Sequence, residues 1–191
     1  GNEAFSGCKA LSKLTIGRWI KTIGKDAFKE CKKPIIYIND IGEWCNIKFE
    51  NDMLRLVNKI YLNDKLITDL VIPHNVEQVI APSFGGCKHI KSIVLENGVK
   101  HIGKLAFYEC SGIESVCLPE SLISIDESAF YQCSKITNIE IPNSVTYVGD
   151  KAFVECDGLT SVTLPKRFKK NRFRIFGDKR SIKHIKFVFT K

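Results

Sequence analysis

The chain has 191 residues, 44% of them hydrophobic and 26% charged, a balance that allows a sizeable buried core and excludes a disordered polyelectrolyte. No apolar run approaches the roughly 18 to 20 residues needed to span a bilayer, so no transmembrane segment is expected in this chain. The net charge of +8 is uneven, because residues 166–191 carry +10 and the remainder −2, so the basic balance belongs to the C-terminal segment alone.

In chain order, the first feature is a Phe-x-x-Cys pair at Phe5/Cys8, repeated 23 residues later at Phe28/Cys31. Gly1 precedes Phe5 as Gly24 precedes Phe28, so the chain is expected to begin in mid-coil. The opening residues Gly-Asn-Glu-Ala-Phe lack a charged region and an apolar region. A secretion signal, if the protein is exported, is expected upstream and removed.

Between residues 35 and 68 the period fails, which predicts an irregular insert. Asp40 with Glu43 makes a capping-box pattern ahead of Trp44, Cys45 and Ile47, predicting a short helix over 41–47. Lys59–Leu62 and Lys65–Thr68 flank Asn63-Asp64, a pair that tolerates positive φ, so a hairpin is expected over 59–68.

The beat resumes at Leu70-Val71-Ile72-Pro73, with Phe84/Cys87, Phe107/Cys110, Phe130/Cys133 and Phe153/Cys156 at steps of 23. A second column keeps the same step: Leu70/Ile72, Ile93/Leu95, Val116/Leu118, Ile139/Ile141, Val162/Leu164 and Ile185/Phe187. These pairs read as short half-buried strands, ended by Pro73, Pro119, Pro142 and Pro165. A third column, Val99/Ile102/Gly103 and Val145/Val148/Gly149, marks another extended piece and a glycine turn. Over 166–191 Phe176 keeps the step but Lys179 stands where Cys is due, so this stretch is expected to be a basic capping repeat.

A unit that cannot bury its own apolar side must stack on copies of itself. The expected fold is therefore a single α/β domain over 1–191. It is a right-handed solenoid of about eight coils and on the order of 40 Å, strand-rich, with a helical turn at each Ala-Phe-x-x-Cys and a parallel sheet along one face.

Nothing in the sequence supports catalysis. His74, His89, His101 and His184 match no catalytic or metal-ligand spacing, and Gly85-Gly86 lacks the frame of a phosphate loop. No enzyme activity, metal, cofactor or small-molecule substrate is expected. Six of the eight cysteines fall on the repeat position and read as inward, reduced core thiols, whereas Cys117 should face solvent. Trp44 is expected in the core of the insert.

The outward positions of the strand column form the candidate ligand face: Asp69, Val71, Ser92, Val94, Ser115, Cys117, Asn138, Glu140, Ser161, Thr163, His184 and Lys186. Such a shallow surface suits a protein or glycan, or it is simply solvated sheet. The basic run Lys166, Arg167, Lys169, Lys170, Arg172 and Arg174 is interleaved with Phe168 and Phe173. It reads as a solvated cap with Phe168, Ile175 and Phe176 inward, or as a polyanion patch.

The stretch SVCLPESLISIDESAFYQCSKITNIEIPNSVTYVGDKAFVECDGLTSVTLP resembles the BspA-like leucine-rich repeat family, with its 23-residue repeat. IYINDIGEWCNIKF followed by IYLNDKLITDLVIP resembles an interruption in such proteins from gut Bacteroides-like bacteria. The resemblance implies an extracellular or cell-surface module that adheres to host or microbial proteins or glycans, and it transfers no catalytic residue. A structural spacer in a larger surface protein and a polyanion binder remain the alternatives.

Overall fold

The computed structural model describes residues 1–32, 34–50, 59–80 and 83–191. Period-two alternation builds one long-strand face in three sheets. The first holds Lys13–Thr15, Ile35–Ile38 and Lys59–Leu62 in parallel, with Lys65–Leu66 antiparallel at its edge. The second holds Asp69–Ile72, Ser92–Leu95 and Ser115–Cys117, and the third Asn138–Glu140, Ser161–Pro165 and Lys186–Thr190. Inward residues such as Leu70, Ile72, Ile93 and Leu95 are buried, because each coil lays its apolar set on the next.

Parallel pairing is not confined to one face. Gln78–Val79, His101–Ile102, Ser124–Ile125 and Tyr147–Val148 form a second parallel sheet, and Thr22–Ile23 pairs with Lys48–Phe49. The result is a β-solenoid of about 7 turns, strand-rich with few helices.

The Ala-Phe-x-x-Cys turns are not helical, which corrects the α/β expectation. Leu105 and Glu109, Ser128 and Gln132, and Lys151 and Glu155 take positive φ two residues either side of each Phe. That alternation turns the amides towards the neighbouring coil: Phe107 N donates to Ala129 O at 2.8 Å and Phe130 N to Ala152 O at 2.8 Å. Left-handed residues cannot propagate a right-handed helix, so the hydrogen bonds run between coils. Inside, the rings of Phe84, Phe107, Phe130, Phe153 and Phe176 stack at centroid spacings of 5.6, 5.1, 5.1 and 5.3 Å. Coils approach so closely that a Cβ on Gly112 would lie 2.0 Å from Lys88 O.

The segment 35–68 stays in the stack more than its sequence suggests, although 51–58 lie outside the described residues. Lys13 pairs with Ile35 and Ile35 with Lys59, steps of 22 and 24 residues that hide the period without breaking the ladder. A helix at Ile41–Cys45 is capped by Asp40, whose Oδ1 accepts from Glu43 N at 2.7 Å. Buried Trp44 donates its Nε1 hydrogen to Ser83 O at 2.9 Å, tying this coil to the next Phe turn. Asn63 and Asp64 turn the hairpin with φ of 48° and 64°.

The last coil is also longer than the period. Ser161 pairs with Lys186 and Val162 with Phe187, so Ile185 and His184 do not hold the strand positions assigned to them from the 23-residue step. A short 3-10 turn at Lys166–Phe168 and a helix at Arg172–Phe176 keep the step as far as Phe176, which stacks on Phe153, so the added length lies between residues 177 and 185. A slip of two keeps side-chain parity. Phe187 and Phe189 therefore still face the core, and Val188 takes an outward place beside Thr163.

Candidate binding surfaces

The outward face of the second sheet presents Val71, Val94 and Cys117 in register, all exposed, with the two valines at 47% and 40%. Beside them Asp69, Ser92 and Ser115 form a polar row. Asp69 Oδ1 accepts from Ser92 Oγ at 2.5 Å and Oδ2 from Thr68 Oγ1 at 2.9 Å. These two bonds hold the Asp69 carboxyl below its ordinary range, so it presents a fixed negative charge.

Between Ser115–Cys117 and Asn138–Glu140 the main-chain ladder is interrupted. Beyond it the outward face is mostly polar: Asn138 and Glu140 are exposed, Ser161 and Thr163 half-buried and Lys186 exposed, with Val188 the apolar exception. The candidate face is thus divided, with its apolar part in the middle sheet. His184 lies in the turn before the last strand, outside that face.

The first sheet adds an outward cluster that periodicity did not reveal. Tyr37 and Tyr61 stack at 4.9 Å, and Lys13 Nζ lies 3.8 Å from the Tyr37 ring centroid. The available signal was Ile36-Tyr37-Ile38-Asn39-Asp40 against Ile60-Tyr61-Leu62-Asn63-Asp64, a repeated pattern 24 residues apart.

At the C-terminal end the six basic candidates divide into two kinds. Arg167 Nη1 donates to Val145 O at 2.8 Å, and Arg174 Nη2 donates to Val148 O at 3.2 Å. In earlier coils the carbonyls equivalent to Val148 O, those of Ile102 and Ile125, accept from Asp126 N and Gly149 N. Arg174 therefore replaces the missing amide of a further coil, and its Nη1 also meets Asp150 Oδ1 at 2.8 Å. Arg172 turns back to Lys169 O at 2.6 Å. Lys166, Lys169 and Lys170 are exposed, while Phe168, Ile175 and Phe176 are buried. Arg167 and Arg174 are exposed as well, but their guanidinium groups also bond the last regular coil, and Arg172 is half-buried.

Three of the column thiols are interior hydrogen-bond donors: Cys110 Sγ to Phe84 O at 3.0 Å, Cys133 Sγ to Phe107 O at 3.2 Å and Cys156 Sγ to Phe130 O at 3.1 Å. Burial pushes Cys110 and Cys156 up to about 12. All eight cysteines are free thiols; Cys117 is exposed, and the expectation of an inward core thiol is corrected for Cys8, which is exposed, and Cys31, which is half-buried. Among the described residues no group of three or more His, Cys, Asp or Glu side chains could hold a metal ion. His74 Nδ1 lies 3.2 Å from Glu96 Oε2 and His101 Nδ1 3.0 Å from Ser124 Oγ, both between successive coils.

These coils define a leucine-rich-repeat solenoid. The chain belongs to the BspA-type leucine-rich repeat family: residues 1–54 and 55–183 match the BspA type leucine rich repeat region, in six copies. Its fold is similar to that of a leucine-rich cell surface protein from Faecalibacterium prausnitzii A2-165, with a TM-score of 0.66 and 16% identity over 99% of this chain and 62% of that one. It is also similar to the pneumococcal vaccine antigen PcpA, with a TM-score of 0.63 and 22% identity over 95% of this chain and 46% of that one. The chain thus spans less than two thirds of the length of either protein. No curated protein matches it. Among the described residues no helix is long and apolar enough to cross a membrane.

Proposed function

We propose that this chain is an extracellular or cell-surface recognition module that binds a host or microbial protein or glycan through the outward face of its long strands, centred on the middle sheet. The carrying observation is the exposed stripe Val71–Val94–Cys117 beside the fixed Asp69 carboxylate. Apolar side chains aligned on a flat sheet and bordered by a polar row suit an interface better than a pocket. The surface location is supported by the description of the Faecalibacterium protein.

The test is a panel of extracellular-matrix proteins and glycans probed with the wild-type chain and with Val94→Arg. Val94 is exposed, so the substitution should leave the fold intact. A ligand found with the wild type should bind the variant at least about tenfold more weakly, since charge placed in an apolar contact is left unpaired. Unchanged binding of every ligand would refute the middle sheet as the contact.

A second reading, polyanion binding, is favoured by the exposed Lys166, Lys169 and Lys170. It predicts steep salt dependence, lost when these three become Gln. In the spacer reading the same surfaces bind nothing and the stack serves as a projecting rod.

A further inference from the structure

Main-chain groups alternate sides along a strand. Along residues 68–72 the groups bonded to the next coil include those of Thr68 and Ile72, whose carbonyls accept from Lys91 N at 2.6 Å and Glu96 N at 3.0 Å. Asp69 and Val71 therefore turn their amides and carbonyls the other way. On that side the strand ends its sheet, and among the described residues no hydrogen bond reaches those groups. Here the hairpin leaves the stack: Lys65–Leu66 folds back on Tyr61 and Leu62 instead of pairing with Asp69–Ile72. A groove of about 450 Å³ opens between them, with Leu62, Leu66 and Ile67 on the hairpin side and Leu70 and Val71 on the strand side.

An exposed strand edge is a ready template for another chain, and strand addition is a recurrent mode of peptide recognition. We infer that this edge is a strand-addition site, at which an extended segment of a partner protein, carrying a basic side chain opposite Asp69, joins the middle sheet. The inference rests on the reading of that sheet as the recognition surface. The added strand supplies the main-chain partners that Asp69 and Val71 lack. Its inward side chains cover Leu62 and Leu66, and its outward ones extend the row of Asp69 and Val71. Asp69 sets the charge preference because its carboxylate is already anchored by Ser92 and Thr68.

The probe is a capped heptapeptide that alternates valine with threonine and carries one central lysine, titrated against the whole chain. Val71→Pro removes only the outward amide, at an edge position where proline is tolerated. Val71→Thr keeps that amide and much of the shape. The expected result is binding to the wild type and to Val71→Thr, weakened about tenfold or more in Val71→Pro. The same peptide N-methylated at alternate amides should not bind. Should Val71→Pro fail to fold, hydrogen exchange on the wild type decides: the amides of Asp69 and Val71 should exchange faster than those of Leu70 and Ile72, and slow when the peptide is added. Equal binding by all three chains, equal loss in both variants, no binding to the wild type, or no slowing would overturn the inference. So would a wild-type dimer that Val71→Pro abolishes, which would give the edge to a second copy of this chain. If the inference fails while Val94→Arg still weakens a ligand from the panel, the face reading stands without strand addition.

Discussion

Cys110, Cys133 and Cys156 are buried donors whose acceptors, Phe carbonyls, belong to the preceding coil. The neutral thiol is therefore the native form, and this has a pH consequence. In the unfolded chain a thiol titrates near 9.0, whereas folded Cys110 and Cys156 titrate at about 12. Below the lower value both states hold the proton. Between the two only the folded state does, so stability falls as pH rises through that window. The thermal midpoint of the wild type should decline more steeply above about pH 9 than that of Cys110→Ala/Cys156→Ala. Parallel slopes would contradict buried neutral thiols. The periodic placing of these cysteines was legible in the sequence. The positive φ at Leu105, Ser128 and Lys151 was not, because nothing in Leu, Ser or Lys favours that conformation. It is imposed by the hydrogen bonds each turn makes to the next coil.

Among the elements, the Phe column decides how the coils hold together. Phe130 is fully buried between the rings of Phe107 and Phe153, whereas Phe5 stacks, among the described residues, on Phe28 alone and is 40% exposed. Phe130→Ala should cost about 3–5 kcal/mol through lost burial and an unfilled cavity, and Phe5→Ala clearly less. Urea unfolding of the two variants checks this, and equal losses would contradict a nearest-neighbour stack. The elements most legible from sequence were those with local chemistry: the Asp40 cap, the Asn63-Asp64 turn and the strands before Pro119 and Pro142. The ladder through residues 35–62 was hidden by steps of 22 and 24. The patterns at Ile36–Asp40 and Ile60–Asp64 also lead to different outcomes, a helix cap and a hairpin turn. The residues after each Asp decide between them: Ile-Gly-Glu-Trp buries a helix under Ser83, whereas Lys-Leu-Ile returns along its own strand.

At the scale of the whole molecule, three surfaces are candidates for recognition: the Tyr37–Tyr61 cluster, the middle sheet with its open edge, and the cap lysines. Two interruptions of the ladder separate the long-strand sheets: the first falls at the hairpin expected before the period resumes at Leu70, whereas the second was not visible, because the outward residues keep their period across it. The division of the basic run was equally hidden, because only the stack shows which arginines meet end-coil carbonyls. The most direct measurement is a hydrogen-exchange footprint of the full chain with the tightest ligand from the panel. Recognition by the middle sheet predicts slowed exchange across 69–72, 92–95 and 115–117, with 166–191 unchanged. Protection confined to 166–191 would contradict it and assign binding to the basic cap.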